Sequence, residues 1–128
     1  MITMQINKEP RDKHSIQSYS KDEIKINGVS YHENLLITQN DIIKNWFNQS
    51  IADLTRADLE PVFSLQPEIF IIGHEDRQLF PHFQLMQDLS VKKIGFEFMS
   101  VGAACRTFNV LLSEGRNTVL GLLLPCPR

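Results

Sequence analysis

Cysteine is scarce in this 128-residue chain. Only Cys105 and Cys126 are present, too few for a disulfide framework and without Cys-x-x-Cys spacing. The four histidines, His14, His32, His74 and His82, never pair at ligand spacing on one helix, which argues against a structural zinc site. Long apolar runs are missing too. The longest, around Val119–Leu124, falls far short of the ~20 residues that span a bilayer. The opening residues Met1-Ile2-Thr3-Met4-Gln5 have neither the cationic nor the apolar region of a signal peptide. Acidic Glu9 and Asp12 among Lys8, Arg11 and Lys13 do not fit a transit peptide. A soluble protein of a reducing compartment, the cytoplasm, is the expectation.

Positive charge is not in excess. Thirteen Lys+Arg face fifteen Asp+Glu, for a net charge of −2. A nucleic-acid partner bound by phosphate neutralisation is not expected. Gly-x-Gly-x-x-Gly and a P-loop Lys are both lacking, so a nucleotide cofactor has no support. Ser113 has no Gly-x-Ser-x-Gly setting, so a hydrolase elbow has none either. No cofactor is expected. The length leaves no room for a two-domain enzyme.

What is present is a core. Hydrophobic residues make up 42% of the chain. Leu, Ile, Val and Phe fill about a third of it, above the roughly 20% below which chains tend to stay disordered. Residues 1–15 are polar and aperiodic and read as an N-terminal arm. Residues 16–128 read as one α/β domain. Ile16–Ser20 reads as a short strand. Ile24–Ile26, Asn27-Gly28 and Val29–Tyr31 read as a two-residue hairpin, because both turn positions need positive φ. Leu35–Ile37 is a further strand. Residues 42–54 are ambiguous, with Trp46 and Phe47 expected to cap a sheet face. Thr55-x-x-Asp58 resembles a capping box opening a helix over residues 56–65, which Pro61 must shorten.

Ile69–Ile72 is a continuous apolar run, the pattern of a strand buried on both faces. Pro81 can open a helix, with Phe83, Met86 and Leu89 on one apolar face. Val91–Met99 reads as the next strand. Strand, helix and strand in that order predict a right-handed crossover and a partly parallel sheet. The best helix runs from Ser100, a good N-cap, to Glu114, with Gly115 beyond its end. Val101, Ala104, Cys105, Phe108, Leu111 and Leu112 form its apolar stripe. Asn117–Leu124 closes the pattern as a strand, and the apolar residues put most of the core in the C-terminal half.

The candidate chemistry gathers at two places. Gly73, His74 and Glu75 follow the buried strand, where α/β sheets hold ligands. His74 or Glu75 could serve there as acid or base; the bland alternative is a solvated loop running on to Arg77. The other place is the start of the long helix. Its free N–H groups and dipole favour an anion, which Ser100, Arg106 and Asn109 could help hold. Arg106 could equally pair locally. Cys105 is either a thiolate activated by that helix start or a small buried hydrophobe; its place on the stripe favours burial. Cys126, between prolines, is expected to be exposed.

Pro67-Glu68-Ile69-Phe70-Ile71-Ile72-Gly73 and Cys105-Arg106-Thr107-Phe108-Asn109-Val110-Leu111-Leu112-Ser113-Glu114-Gly115-Arg116 resemble a family of small α/β proteins of uncharacterised function. It includes mitochondrial complex I assembly factor 3 and the adipogenesis-associated domain proteins. The resemblance covers about residues 16–125. It implies a three-layer α/β domain with a mixed central sheet and an extra β-hairpin layer. It also implies a non-catalytic, assembly-factor-like module with a protein partner of the respiratory or membrane-complex kind. That family usually carries Gly-Thr-Gly where this chain has Gly73, His74 and Glu75. Two readings of function stay open: this binding module, and a small-molecule or anion-binding protein or enzyme with its pocket between residues 73–77 and 100–106. A homo-oligomer is a third reading, since Ile24, Ile26, Val29 and Tyr31 form an apolar hairpin face.

Overall fold

The computed structural model describes residues 15–20, 22–76 and 78–124. Most of the N-terminal arm, Arg77 and Cys126 lie outside them. Strands β1 (Ile16–Tyr19), β2 (Ile24–Ile26) and β3 (Val29–Tyr31) form a small antiparallel sheet in the order β1-β2-β3. Asn27 and Gly28 sit at φ 53° and 79°, as the two-residue turn requires.

Five further strands build the central sheet. They are β4 (Leu35–Ile37), β5 (Ile42–Lys44), β6 (Ile69–Gly73), β7 (Gly95–Met99) and β8 (Thr118–Leu122), in the order β5-β4-β8-β6-β7. β6 pairs parallel with both β7 and β8, while β4 pairs antiparallel with β5 and β8. The sheet is therefore mixed. β5 falls in the stretch that periodicity left ambiguous: three residues are too few to display a period.

Helices α1 (Glu60–Leu65), α2 (Phe83–Val91) and α3 (Val101–Ser113) complete the fold. Strand alternation sorts the sheet's side chains into two cores. Ile71, Leu120 and Leu122 pack with Val101, Ala104, Cys105 and Phe108 of α3, and with Ile16, Ile24 and Ile26 of the small sheet. Phe70, Ile72 and Val119 pack with Leu85 and Leu89 of α2 and Val62 of α1, together with Phe47, Ile51 and Leu54. The result is three layers, with α3 and the small sheet on one face and α1 and α2 on the other. Trp46 and Phe47 cap the second face as expected; an added Cβ on Gly121 would lie 2.9 Å from the Trp46 ring.

Several sequence expectations need correction. The core does lie more in the C-terminal half, as expected, but the N-terminal half supplies a substantial part of it. β4 is flanked on both sides, so all three of its residues are buried. The hairpin face is not open: Ile24 and Ile26 are buried against the α3 layer. Only Val29, beside the turn, stands exposed. The helix expected over residues 56–65 divides into a 3-10 turn, Ala57–Leu59, and α1, with Pro61 in α1's first turn. The Thr55 hydroxyl donates to the Asp58 carboxylate (2.8 Å) instead of accepting from the helix, and the Thr55 N–H donates to the same carboxylate (2.9 Å).

Pro81 precedes α2 without opening it; His82 is the N-cap. The buried face of α2 is Leu85 and Leu89, four apart, while Phe83 and Met86 point to solvent. Val91 belongs to the end of α2, not to a strand. Lys93 turns at φ 62°, and β7 starts only at Gly95.

Candidate functional site

The chain leaves β6 for α2 on one face of the sheet and leaves β7 for α3 on the other. Divergence of neighbouring connections opens a crevice at the carboxyl ends of such strands. Gly73, His74, Glu75 and Ser100 all sit there. The His74 N–H donates to the Met99 carbonyl at 2.9 Å, tying the two strand ends together.

Gly73 lets α3 approach. A Cβ at this position would lie 2.8 Å from the Ala104 Cβ and 3.1 Å from the Val101 Cα. α3 starts on two side-chain caps. The Ser100 hydroxyl accepts from the Ala103 N–H (3.3 Å), and the Glu75 carboxylate accepts from the Val101 N–H (3.0 Å). An anion at this helix start would have to displace the protein's own carboxylate. At its other end α3 closes with a Schellman motif: Gly115 (φ 75°) donates to the Leu112 carbonyl and Arg116 to that of Leu111, each at 3.0 Å.

The other candidates turn elsewhere. Cys105 is buried in the core beneath α3. Burial pushes its thiol up to about 12, with the Arg106 guanidinium pulling the other way. A thiolate nucleophile does not fit that setting. Arg106 donates to the Tyr19 hydroxyl of β1 at 2.6 Å. Asn109 clasps β1 as a neighbouring strand would: it accepts from the Ile16 N–H (2.8 Å) and donates to the Ile16 carbonyl (3.0 Å). The seven candidates thus divide in two. Gly73, His74, Glu75 and Ser100 come together at the crevice; Cys105, Arg106 and Asn109 serve the α3–β1 contact or the core.

On the α2 side the crevice widens into a cavity of about 180 Å³, lined by His74, Leu79, Phe80, Phe98, Met99 and Ser100. Four of these, Leu79, Phe80, Phe98 and Met99, were not singled out from the sequence. Leu79-Phe80, an apolar pair after the polar run of residues 74–78, was the available signal. Phe80 is 63% exposed and meets Phe98 edge-on, with ring centroids 6.0 Å apart. Burial lowers the His74 pKa from its ordinary value, opposed by the charges of Asp76 and Glu75. Its Nδ1 is closed off from solvent with no hydrogen-bond partner, a setting that favours the neutral ring. Among the described residues no cluster of His, Cys, Asp and Glu could hold a metal ion, and no helix is long and apolar enough to cross a membrane.

Comparison with known proteins agrees with this architecture. A Xanthomonas campestris protein solved by NMR is 28% identical; the match covers 94% of this chain and 92% of that one, with a TM-score of 0.79. A 13 kDa major membrane protein of Francisella tularensis is 25% identical over 79% of this chain and 83% of its own length. The human NADH dehydrogenase [ubiquinone] 1 alpha subcomplex assembly factor 3 is 30% identical over 86% of this chain. The match spans only 60% of that assembly factor's length. The family model described as a protein of unknown function, DUF498/DUF598, matches residues 16–123, and the chain belongs to that family.

Proposed function

We propose that this protein is a non-catalytic binding module that holds a protein partner during assembly of a larger complex. One observation carries the reading. The polar groups that could have done chemistry at the start of α3 are engaged in holding the fold together, whereas the surface beside them is apolar and exposed. Glu75 and Ser100 cap α3, and Arg106 and Asn109 fasten β1. Across the crevice Phe80 is 63% exposed, and Phe83, at the start of α2, is 71% exposed. Exposed aromatics of this kind are what protein interfaces bury.

The size of the cavity supports the same reading. Pockets for drug-sized ligands and cofactors run to roughly 300–1,000 Å³, and a dry cavity of about 150 Å³ holds a single benzene. The space beside Phe80 and Phe98 suits one side chain of a docking protein. The relatives named as complex I assembly factors support a protein partner of the respiratory or membrane-complex kind. The reading sets the domain, residues 16–128, on the cytoplasmic side of such a partner.

Crosslinking in native lysate followed by mass spectrometry tests the proposal. A partner enriched with the wild-type chain and lost from Phe80→Ser/Phe83→Ser is the expected outcome. Failure to enrich any protein over a mock control would overturn it. A thiol titration separates it from cysteine chemistry: in a Cys126→Ser background, Cys105 should react only as fast as the protein unfolds.

A further inference from the structure

A partner docked beside Phe80 and Phe98 would lie against the outer strand of the central sheet, whose free backbone groups show what kind of segment fits there. β7 has a described neighbour on one side only, β6. In a parallel ladder, alternate residues turn their backbone groups to opposite flanks. The Gly95 N–H donates to the Glu68 carbonyl at 2.8 Å, and the Met99 carbonyl accepts from His74 at 2.9 Å. Gly95, Glu97 and Met99 therefore bond inward. Phe96 and Phe98 turn their N–H and C=O groups to the open flank.

The opposite edge, β5, is built to refuse a strand. It is three residues long, ends on Lys44, and turns away at Asn45 with φ 56°. Short length and lysine are how native edges are blunted. β7 is five residues long and carries no lysine. A concavity lies at each end of it. One, of about 370 Å³, runs between α2 and the start of β7 and is lined by Met86, Lys93 and Phe96 among others. The other is the cavity of about 180 Å³ at Phe80 and Phe98. Strand addition uses this combination: main-chain hydrogen bonds along an edge and pockets for alternate side chains.

Glu97 selects the occupant. It is exposed on the face opposite Phe96 and Phe98. A second copy pairing antiparallel with its outward groups matched, Phe96 to Phe98, would set Glu97 directly against Glu97. Like charges directly opposite one another destabilise a sheet. A strand with Lys or Arg at that position would gain where a second copy loses. Lys93 at the mouth of the larger concavity confines the preference for a basic residue to the centre.

We propose that the open edge of β7 is a strand-addition site for an extended segment of a partner protein, with Lys or Arg opposite Glu97 and an apolar residue on either side of it. This rests on the binding-module reading and is separable from it by experiment. The probe is an array of eight-residue synthetic peptides whose central triplet is apolar-x-apolar, with x as Lys, Arg, Ser or Glu. Peptides with Lys or Arg at the centre should bind roughly 3- to 10-fold more tightly than their Glu counterparts at low salt. In an NMR titration the largest amide shifts should fall on Phe96 and Phe98. The surface variant Glu97→Lys should invert the charge preference.

Binding by none of the peptides, shifts centred on β5 or the 74–80 loop, an unchanged preference in Glu97→Lys, or dimerisation through β7 would each overturn the site. If the native partner is still crosslinked by Glu97→Lys at the wild-type level, strand addition at β7 fails while the binding module stands. If no partner is crosslinked by the wild-type chain, the broader reading fails.

Discussion

The two sides of the β6–β7 crevice use their residues in opposite ways. On the α3 side, Glu75, Ser100, Arg106 and Asn109 each make a hydrogen bond that fixes a helix or a strand. Gly73 lets that helix come within close contact of the sheet. On the α2 side, Phe80 and Met86 stand in solvent beside open concavities, and Phe83 is exposed at the start of α2. The difference teaches that polar residues at a helix start are weak evidence for chemistry when their partners are unknown. Apolar residues left uncovered are the stronger sign of function, because burial alone would have stabilised the chain.

The sharpest way to break this contrast is to truncate one aromatic on each side. Phe108 is fully buried under α3, and Phe108→Ala should cost about 3–5 kcal/mol in urea unfolding. Phe83→Ala should stay within about 0.5 kcal/mol of wild type. Comparable losses from the two variants would mean that the α2 side is structural as well.

Gly73→Ala comes next. The added methyl meets Ala104 and the Val101 backbone, which cannot step aside as a flexible side chain could. Overpacking of this kind costs roughly 1–3 kcal/mol, and the α3 amides should lose protection from hydrogen exchange first. Asn109→Ala should follow at about 1–2 kcal/mol, since it leaves both the N–H and the C=O of Ile16 without their partner. The loss should show as faster exchange in β1 with β6 unchanged.

The smallest effect belongs to His74. Its folded pKa is lowered by burial from the ordinary 6.5, so the unfolded chain binds protons that the folded chain resists. Stability is complete above about pH 6.5 and falls as the pH drops from there through the lowered folded value. His74→Gln should flatten the thermal-stability profile in that window. A profile identical to wild type would show that His74 does not titrate differently on folding.

Much of the fold was legible in the residues. Asn27-Gly28 marks its hairpin because few residues accept two successive positive φ angles. Ile69–Ile72 marks a strand with helices on both faces, and the stripe from Val101 to Leu112 with Ser100 and Gly115 marks α3. The misreadings came where local pattern and tertiary contact disagree. Phe83 and Met86 share a helical face with Leu89, yet only Leu85 and Leu89 meet the sheet. The family resemblance was carried by the strand before Gly73 and by the α3 segment, and the match over residues 16–123 bears it out.

The candidate site was less legible. Sequence spacing places Gly73, Glu75 and Ser100 near strand ends. It does not show that Glu75 reaches Val101 across 26 residues or that Asn109 reaches Ile16 across 93. The sequence by itself determined the Asn27-Gly28 hairpin, the buried strand before Gly73, α3 with its Ser100 and Gly115 caps, and the absence of nucleotide and disulfide motifs, because these depend on neighbours along the chain. Tertiary structure alone decided that Arg106 faces Tyr19, that Asn109 holds Ile16 and that β7 lies at the edge of the sheet among the described residues. Those outcomes depend on which distant residues meet, and strand order sets that.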